Sequence, residues 1–100
     1  MMQAYIRIAE DHPAFAGHFP GSPILPGAVL LGEILHSITS ATGISFDRCS
    51  IPSAKFKRIV RPGDSLVLQF EFTGPAAIRF ELRAADDLIA DGMLQLSAPS

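Results

Sequence analysis

The sequence predicts an α+β domain in which one buried helix packs against an antiparallel sheet. Residues 27–42 contain no proline, and their apolar side chains repeat at a helical interval. After Gly43 the apolar residues alternate with polar ones, and short turns separate the alternating stretches. Strands joined by short turns pair in antiparallel fashion, so the pattern favours an α+β domain. The length of 100 residues predicts a single domain over residues 1–100.

The helix is predicted over residues 27–42. Pro26 suits its first turn, and Gly43 suits the position just after its last turn. The apolar residues that repeat at a helical interval are Leu30, Leu31, Ile34, Leu35, Ile38 and Ala41. Because Ala28 and Val29 widen this stripe to most of the circumference, we expect a helix that is buried almost all round.

Strands are predicted at residues 4–9, 48–60, 65–73, 77–84 and 88–97, the first of them at an edge of the sheet. Their turn signals are Pro62-Gly63-Asp64, Gly74-Pro75 and Asp86-Asp87. A further Asp-Gly pair, Asp91-Gly92, is flanked by apolar residues, which predicts a bulge inside the last strand.

The composition is apolar for a small domain, with 48% hydrophobic and 18% charged residues. We expect this excess to form a dense core, an oligomer interface or a ligand channel, because a small domain buries only a modest share of its surface. The net charge of −2 argues against a nucleic-acid partner. Cys49 is the single cysteine, which excludes an internal disulfide. Neither a signal peptide nor a membrane span is expected, which predicts a cytoplasmic protein.

Two stretches carry a specific motif. Residues 17–27 read Gly-His-Phe-Pro-Gly-Ser-Pro-Ile-Leu-Pro-Gly, in a proline- and glycine-rich segment that predicts a rigid irregular loop. Residues 54–64 read Ala-Lys-Phe-Lys-Arg-Ile-Val-Arg-Pro-Gly-Asp. Both resemble signatures of the bacterial 3-hydroxyacyl-ACP dehydratases, where ACP is acyl carrier protein. The short length and the Leu-Leu-Gly-Glu helix also resemble the small dehydratase-like proteins of aryl-polyene-type clusters.

The resemblance implies a hotdog fold, in which a curved antiparallel sheet wraps a long helix and two copies dimerise side by side. It implies an active site at the dimer interface, reached by an apolar tunnel. The substrate would arrive on the phosphopantetheine arm of ACP, and no cofactor is implied. The three histidines lack acidic partners at ligand spacing, so we also expect no metal; His12 is expected to be exposed.

The resemblance assigns His18 as the catalytic acid/base, and an imidazole suits proton transfer because it titrates near neutral pH. His18 could instead only hydrogen-bond within its loop. Gly27 matches the glycine whose backbone N–H faces the thioester oxygen, a role that a helix N-terminus supports. Gly27 could equally be a tight-turn residue. Further substrate contacts are expected from the loop and the helix: Phe19, Pro20, Gly21, Ile24, Leu25 and Gly32.

The family's helix carboxylate falls at position 32, which is glycine here. Glu33 is offset from it by about 100° around the helix and should face elsewhere unless the helix is irregular. Gly32 suggests close packing or room for a ligand, since a helical glycine costs about 1 kcal/mol. His36 shares a face with Gly32. Either it, or a water above Gly32, could replace the carboxylate, although a polar interface residue is the favoured interpretation.

A basic cluster, hereafter the basic segment, consists of Lys55, Lys57, Arg58 and Arg61. It could dock the acidic ACP by charge complementarity, or it could be a solvated strand face on which Lys55 and Lys57 point the same way. Val29 and Phe56, with residues 24–25, could line an acyl channel or simply belong to the core.

Three functions therefore remain open from the sequence. The first is dehydration of a 3-hydroxyacyl thioester on ACP to the trans-2-enoyl thioester. The second is a catalytically silent subunit that binds acyl-ACP or pairs with a homologous hotdog protein, which the glycine at position 32 favours. The third is an acyl thioesterase, which would need Glu33 as its carboxylate. The carrier, ACP or coenzyme A, and the acyl chain length are not determined by these motifs.

Overall fold

The computed structural model describes residues 2–9, 27–44, 49–61 and 63–96. Its elements are β1 (Met2–Arg7), α1 (Gly27–Thr42), β2 (Cys49–Phe56), β3 (Ser65–Gly74), β4 (Ala77–Ala84) and β5 (Asp87–Leu96). The strands form one sheet in the order β1-β3-β4-β5-β2, and every neighbouring pair is antiparallel. The helix and the five-stranded sheet confirm the α+β class and the expected hotdog arrangement.

The helix begins and ends at the predicted residues. Gly43 follows it with φ 76°, and its N–H donates to the Thr39 carbonyl at 2.7 Å. This left-handed conformation is the reason for a glycine at the C-terminal cap. The hydroxyl of Thr42 donates to the Ile38 carbonyl at 2.7 Å and accepts from the N–H of Ile44 at 3.2 Å. Both backbone groups at the C-terminal end of the helix therefore have a hydrogen-bond partner.

The core lies between α1 and the inner face of the sheet. Three helical side chains one turn apart, Leu30, Ile34 and Ile38, are at most 2% exposed. They form one cluster with inward-facing residues of the strands, among them Leu68, Phe70, Phe80, Leu82 and Leu94. Alternating buried and solvent-facing positions along β3 and β4 explain the period-two pattern of the sequence.

The expectation of a helix buried almost all round is wrong for the single chain. Ala28, Gly32, His36 and Ser40, each four residues after the last, are exposed. The sheet covers one side of α1, so within the described residues this opposite stripe has no cover. We call these four residues the open helix face.

Strand limits and one irregularity differ from the predictions. β1 starts and ends two residues earlier than predicted, and β2 ends at Phe56 rather than residue 60. Asp91-Gly92 forms no bulge: both residues keep their register with β2 and β4. The shift in β5 occurs instead at Ile89, between the pairs Leu82–Ala90 and Arg83–Leu88.

Gly92 has a packing reason rather than a turn. It faces the core opposite Phe80 on β4, and a methyl group on Gly92 would lie 2.8 Å from Cζ of the Phe80 ring. The same methyl group would strike the backbone carbonyl of Ser53 on β2. Only glycine therefore fits beneath this ring and beside the backbone of β2.

Candidate active site

The N-terminus of α1 lies against the end of β2. A methyl group on Gly27 would lie 3.4 Å from Cδ2 and Cε2 of the Phe56 ring. Phe56 is the cross-strand partner of the buried Ala90. The Phe56 side chain therefore projects from the inner face of the sheet toward the helix. It is nevertheless 41% exposed, so part of the ring is accessible beside the first turn of α1.

The first turn of α1 contains no acidic side chain. No carboxylate of that turn therefore neutralises the positive end of the helix dipole. Gly27 is partly exposed. The predicted position of the thioester oxygen is thus an accessible helix N-terminus with an aromatic ring beside it, an arrangement that can stabilise developing negative charge.

Gly32 and His36 share the open helix face, as their spacing predicted. No atom outside the helix lies within 4 Å of the place where a Gly32 β-carbon would be. Close packing within the described chain is therefore not the reason for this glycine, and open space above it is what the geometry offers. His36 is exposed beside that space.

Glu33 is the single carboxylate of α1 and is half-buried. It is engaged in an interaction within the protein. The helix has no irregularity that would turn Glu33 onto the face of Gly32, because α1 is continuous from Gly27 to Thr42. Glu33 therefore lies beside the open helix face rather than on it.

The basic segment starts in β2 and continues beyond it. All four cationic residues are exposed, but only Lys55 belongs to the strand. Lys57 lies after the strand, where its N–H donates to the Ile89 carbonyl at 2.8 Å. Lys57 nevertheless reaches Asp91, the cross-strand partner of Lys55, and the expectation that the two lysines point the same way stays a prediction.

Asp91 lies beside the basic segment. It is the cross-strand partner of Lys55, and its carboxylate lies 3.7 Å from Nζ of Lys57. Among the described residues no ion pair involves the side chains of Lys55, Arg58 or Arg61. Asp91 thus offsets part of the positive charge and leaves three exposed cations.

The loop that approaches β3 fixes the end of the basic segment. The N–H of Arg61 donates to Oδ2 of Asp64 at 2.9 Å, and the N–H of Asp64 donates to the Arg61 carbonyl at 3.2 Å. Gly63 has φ 84°, which requires glycine in this turn. Val60 is 1% exposed whereas Ile59 is 51% exposed, so an apolar side chain is presented between Arg58 and Arg61.

Sequence reasoning missed two of these features. The pairing of Asp91 with Lys57 depends on the register between β2 and β5, which no local pattern reveals. The exposure of Ile59 depends on the end of β2 at Phe56, which the motif around it did not mark.

Several predicted site residues lie outside the described residues: His12, His18, Phe19, Pro20, Gly21, Ile24 and Leu25. Their roles stay predictions. Of the predicted channel residues, Val29 packs against the core while staying partly exposed, and the Phe56 ring lies beside Gly27.

A depression of about 180 Å³ lies on the sheet, between residues of β2, β4 and β5. It is lined by Ser53, Arg79, Phe80, Glu81, Asp91, Gly92 and Met93. Arg79 is paired there with Glu71 at 3.3 Å across β3 and β4. The depression is open to solvent and is lined by side chains of both charges. It therefore offers no enclosed apolar surface that an acyl chain would prefer.

The described residues contain no group of three or more His, Cys, Asp or Glu side chains that could hold a metal ion. The absence of a metal stays a prediction, because His12 and His18 lie outside that part of the chain. The same described residues include no helix with the length and apolarity needed to cross a lipid bilayer.

Comparisons with known proteins agree with this arrangement. Residues 1–93 match the model of the family described as ApeI-like, ApeI dehydratase. The chain is 36% identical to the 3-hydroxyacyl-[acyl-carrier-protein] dehydratase FabZ of Mannheimia succiniciproducens, in an alignment that covers 81% of the chain. It is 32% identical to FabZ of Haemophilus ducreyi, in an alignment that covers 88% of the chain. The chain spans 66% of the first relative and 70% of the second, and about half, 53%, of several others.

A solved structure, the dehydratase heterocomplex ApeI:P from Xenorhabdus doucetiae, superimposes with a TM-score of 0.79. Its sequence identity is 26%, and the match covers 96% of this chain and 86% of that one. The match of residues 1–93 to the family model shows that the chain belongs to the ApeI-like dehydratase family.

Proposed function

We propose that this protein dehydrates a 3-hydroxyacyl thioester carried on ACP to the trans-2-enoyl thioester. The reaction removes a proton from carbon 2 and hydroxide from carbon 3, so that one water leaves and a carbon–carbon double bond forms. The match of residues 1–93 to a dehydratase family carries the proposal. The FabZ relatives, whose names specify acyl carrier protein, support the choice of carrier and a place in fatty-acid synthesis.

In this proposal His18 takes the proton from carbon 2, because an imidazole is basic enough near neutral pH. The N–H of Gly27 faces the thioester oxygen and stabilises the negative charge that develops there. The accessible first turn, free of acidic side chains, supports this role. No cofactor takes part, since the thioester itself acidifies carbon 2.

The departing hydroxyl needs a proton, and the open helix face offers His36 or a water above Gly32 to supply it. Gly32 and His36 are both exposed, which supports this assignment. Glu33 is a weaker candidate because it lies beside that face rather than on it. His36 as a merely polar residue of an oligomer interface is the competing interpretation.

ACP docks on the basic segment in this proposal. Three exposed cations without an ion pair among the described residues suit an acidic partner, and Ile59 adds an apolar contact. Phe56 connects this surface with Gly27, so a carrier bound there would stand near the helix N-terminus. We expect a homodimer or a pair with another hotdog protein, acting in the cytoplasm as the sequence predicts.

The test is turnover of a 3-hydroxyacyl-ACP by the purified protein, followed by mass spectrometry of the carrier-bound acyl group. The proposal predicts loss of one water in the wild type and none with His18→Ala. His12→Ala is the matched control, because it removes the other histidine of the same stretch and should leave turnover unchanged. Wild-type protein that binds acyl-ACP without water loss would contradict the proposal.

A second candidate is a catalytically silent subunit paired with an active homologue. The specific observation is Gly32, which leaves the open helix face without a carboxylate. The heterocomplex in the similar structure supports such a pairing. Turnover that appears only after a homologous hotdog protein is added would favour it. Release of free acid from the thioester would instead identify a thioesterase.

A further inference from the structure

We propose that Phe56 is a positioning residue that sets the place of the Gly27 N–H and of the thioester beside it. This inference rests on the proposed thioester site at Gly27. The structural observation is the ring of Phe56, which bridges the end of β2 and the start of α1 while staying 41% exposed.

The backbone on both sides of the contact is fixed. Phe56 is in register with the buried Ala90, and the next residue, Lys57, donates its N–H to the Ile89 carbonyl at 2.8 Å. The end of β2 is therefore held by β5 through two successive backbone attachments. On the other side, α1 is anchored to the core by Leu30, which is 2% exposed.

The Phe56 ring is the neighbour that the helix start would meet on moving toward β2. A methyl group on Gly27 would make ordinary van der Waals contact with this ring, at 3.4 Å, so the ring lies directly on that side of Gly27. The ring therefore limits how far the first turn can move toward β2. Because a misplacement of about 1 Å can cost a hundredfold in rate, such a stop matters for a hydrogen bond to a reacting oxygen.

Phe72 provides a matched control. It is 43% exposed, nearly the same as Phe56, and lies near the end of β3 with Ile78 as its cross-strand partner. The three atoms nearest to the β-carbon position of Gly27 belong to Phe56 and not to Phe72. Replacing either phenylalanine removes a similar half-exposed ring, so a difference between the two variants isolates the effect at the helix start.

The experiment compares Phe56→Ala, Phe56→Leu and Phe72→Ala in the full chain. Phe56→Ala should lower kcat for 3-hydroxyacyl-ACP by about 10- to 100-fold with little change in KM. Phe56→Leu should recover most of that loss, and it also covers the case in which the alanine variant fails to fold. Phe72→Ala should stay within about twofold of the wild type. Equal losses in the two alanine variants, or a change in KM alone, would overturn the inference.

A spectroscopic measurement separates this inference from the proposed reaction. A thioester carbonyl that accepts the Gly27 N–H should show a lowered infrared stretching frequency when acyl-ACP, labelled at that carbon, is bound. Phe56→Ala should return the frequency toward its free value, whereas Phe72→Ala should not. A Phe56-dependent shift without turnover would refute dehydration and uphold the inference. An unshifted carbonyl in the wild type would overturn the inference even in an active enzyme.

Discussion

Introducing a carboxylate at position 32 is expected to raise turnover. In Gly32→Glu the new side chain starts on the open helix face, where no atom outside the helix lies within 4 Å of its β-carbon. The substitution should also stabilise the helix by about 0.5 kcal/mol or more, because glycine is a poor helix former. A folded variant is therefore expected.

The size of the gain follows from the group that the wild type lacks. A positioned general acid contributes about 10²- to 10⁴-fold, and His36 or a water supplies part of this in the proposed mechanism. We therefore expect kcat to rise by at least about tenfold. The assay is initial-rate formation of enoyl-ACP from 3-hydroxyacyl-ACP.

Gly32→Gln is the matched control, because it has the same shape and helix propensity but cannot transfer a proton as a carboxylic acid does. We expect kcat to rise in Gly32→Glu and to stay unchanged in Gly32→Gln. Equal rates in the two variants would refute the reasoning that position 32 faces the reacting hydroxyl.

Three further outcomes follow. Gly92→Ala should destabilise the fold by about 1–3 kcal/mol, because its methyl group would press on the Phe80 ring; urea unfolding measures this, and an unchanged midpoint would contradict the packing argument. Reversing charge with Arg58→Glu and Arg61→Glu should weaken acyl-ACP binding by about tenfold or more at low salt, and by less at high salt. An unchanged Kd, measured by titration, would show that ACP does not dock on the basic segment. His36→Gln should lower kcat by about tenfold or more if His36 donates the proton; unchanged turnover would leave that role to a water.

The sequence predicted the parts of the fold that local chemistry determines. The helix limits followed from Pro26 and Gly43, and the left-handed φ of Gly43 gives the physical reason. The strands followed from alternation, since buried and solvent-facing positions alternate along β3 and β4. The resemblance of the two motifs supplied the fold name and the family, which periodicity alone could not provide.

The predictions that failed depend on contacts between distant residues. An Asp-Gly pair reads as a turn or bulge, but Gly92 is required by the Phe80 ring across the sheet. The apolar character of α1 does not say which partner covers each side, so the open helix face was missed. The ion pair between Lys57 and Asp91 likewise depends on how β2 pairs with β5. The role of His18 remains a prediction from the motif.

The central claim is reversible addition and removal of water at carbon 3, and the reverse reaction in isotopically labelled water tests it most directly. The wild type, incubated with trans-2-enoyl-ACP, should place the label on a hydroxyl at carbon 3 while the thioester stays intact, and His18→Ala should not. Label in a released carboxylate would identify a thioesterase. An unlabelled, unchanged enoyl-ACP would contradict the account and favour the silent subunit.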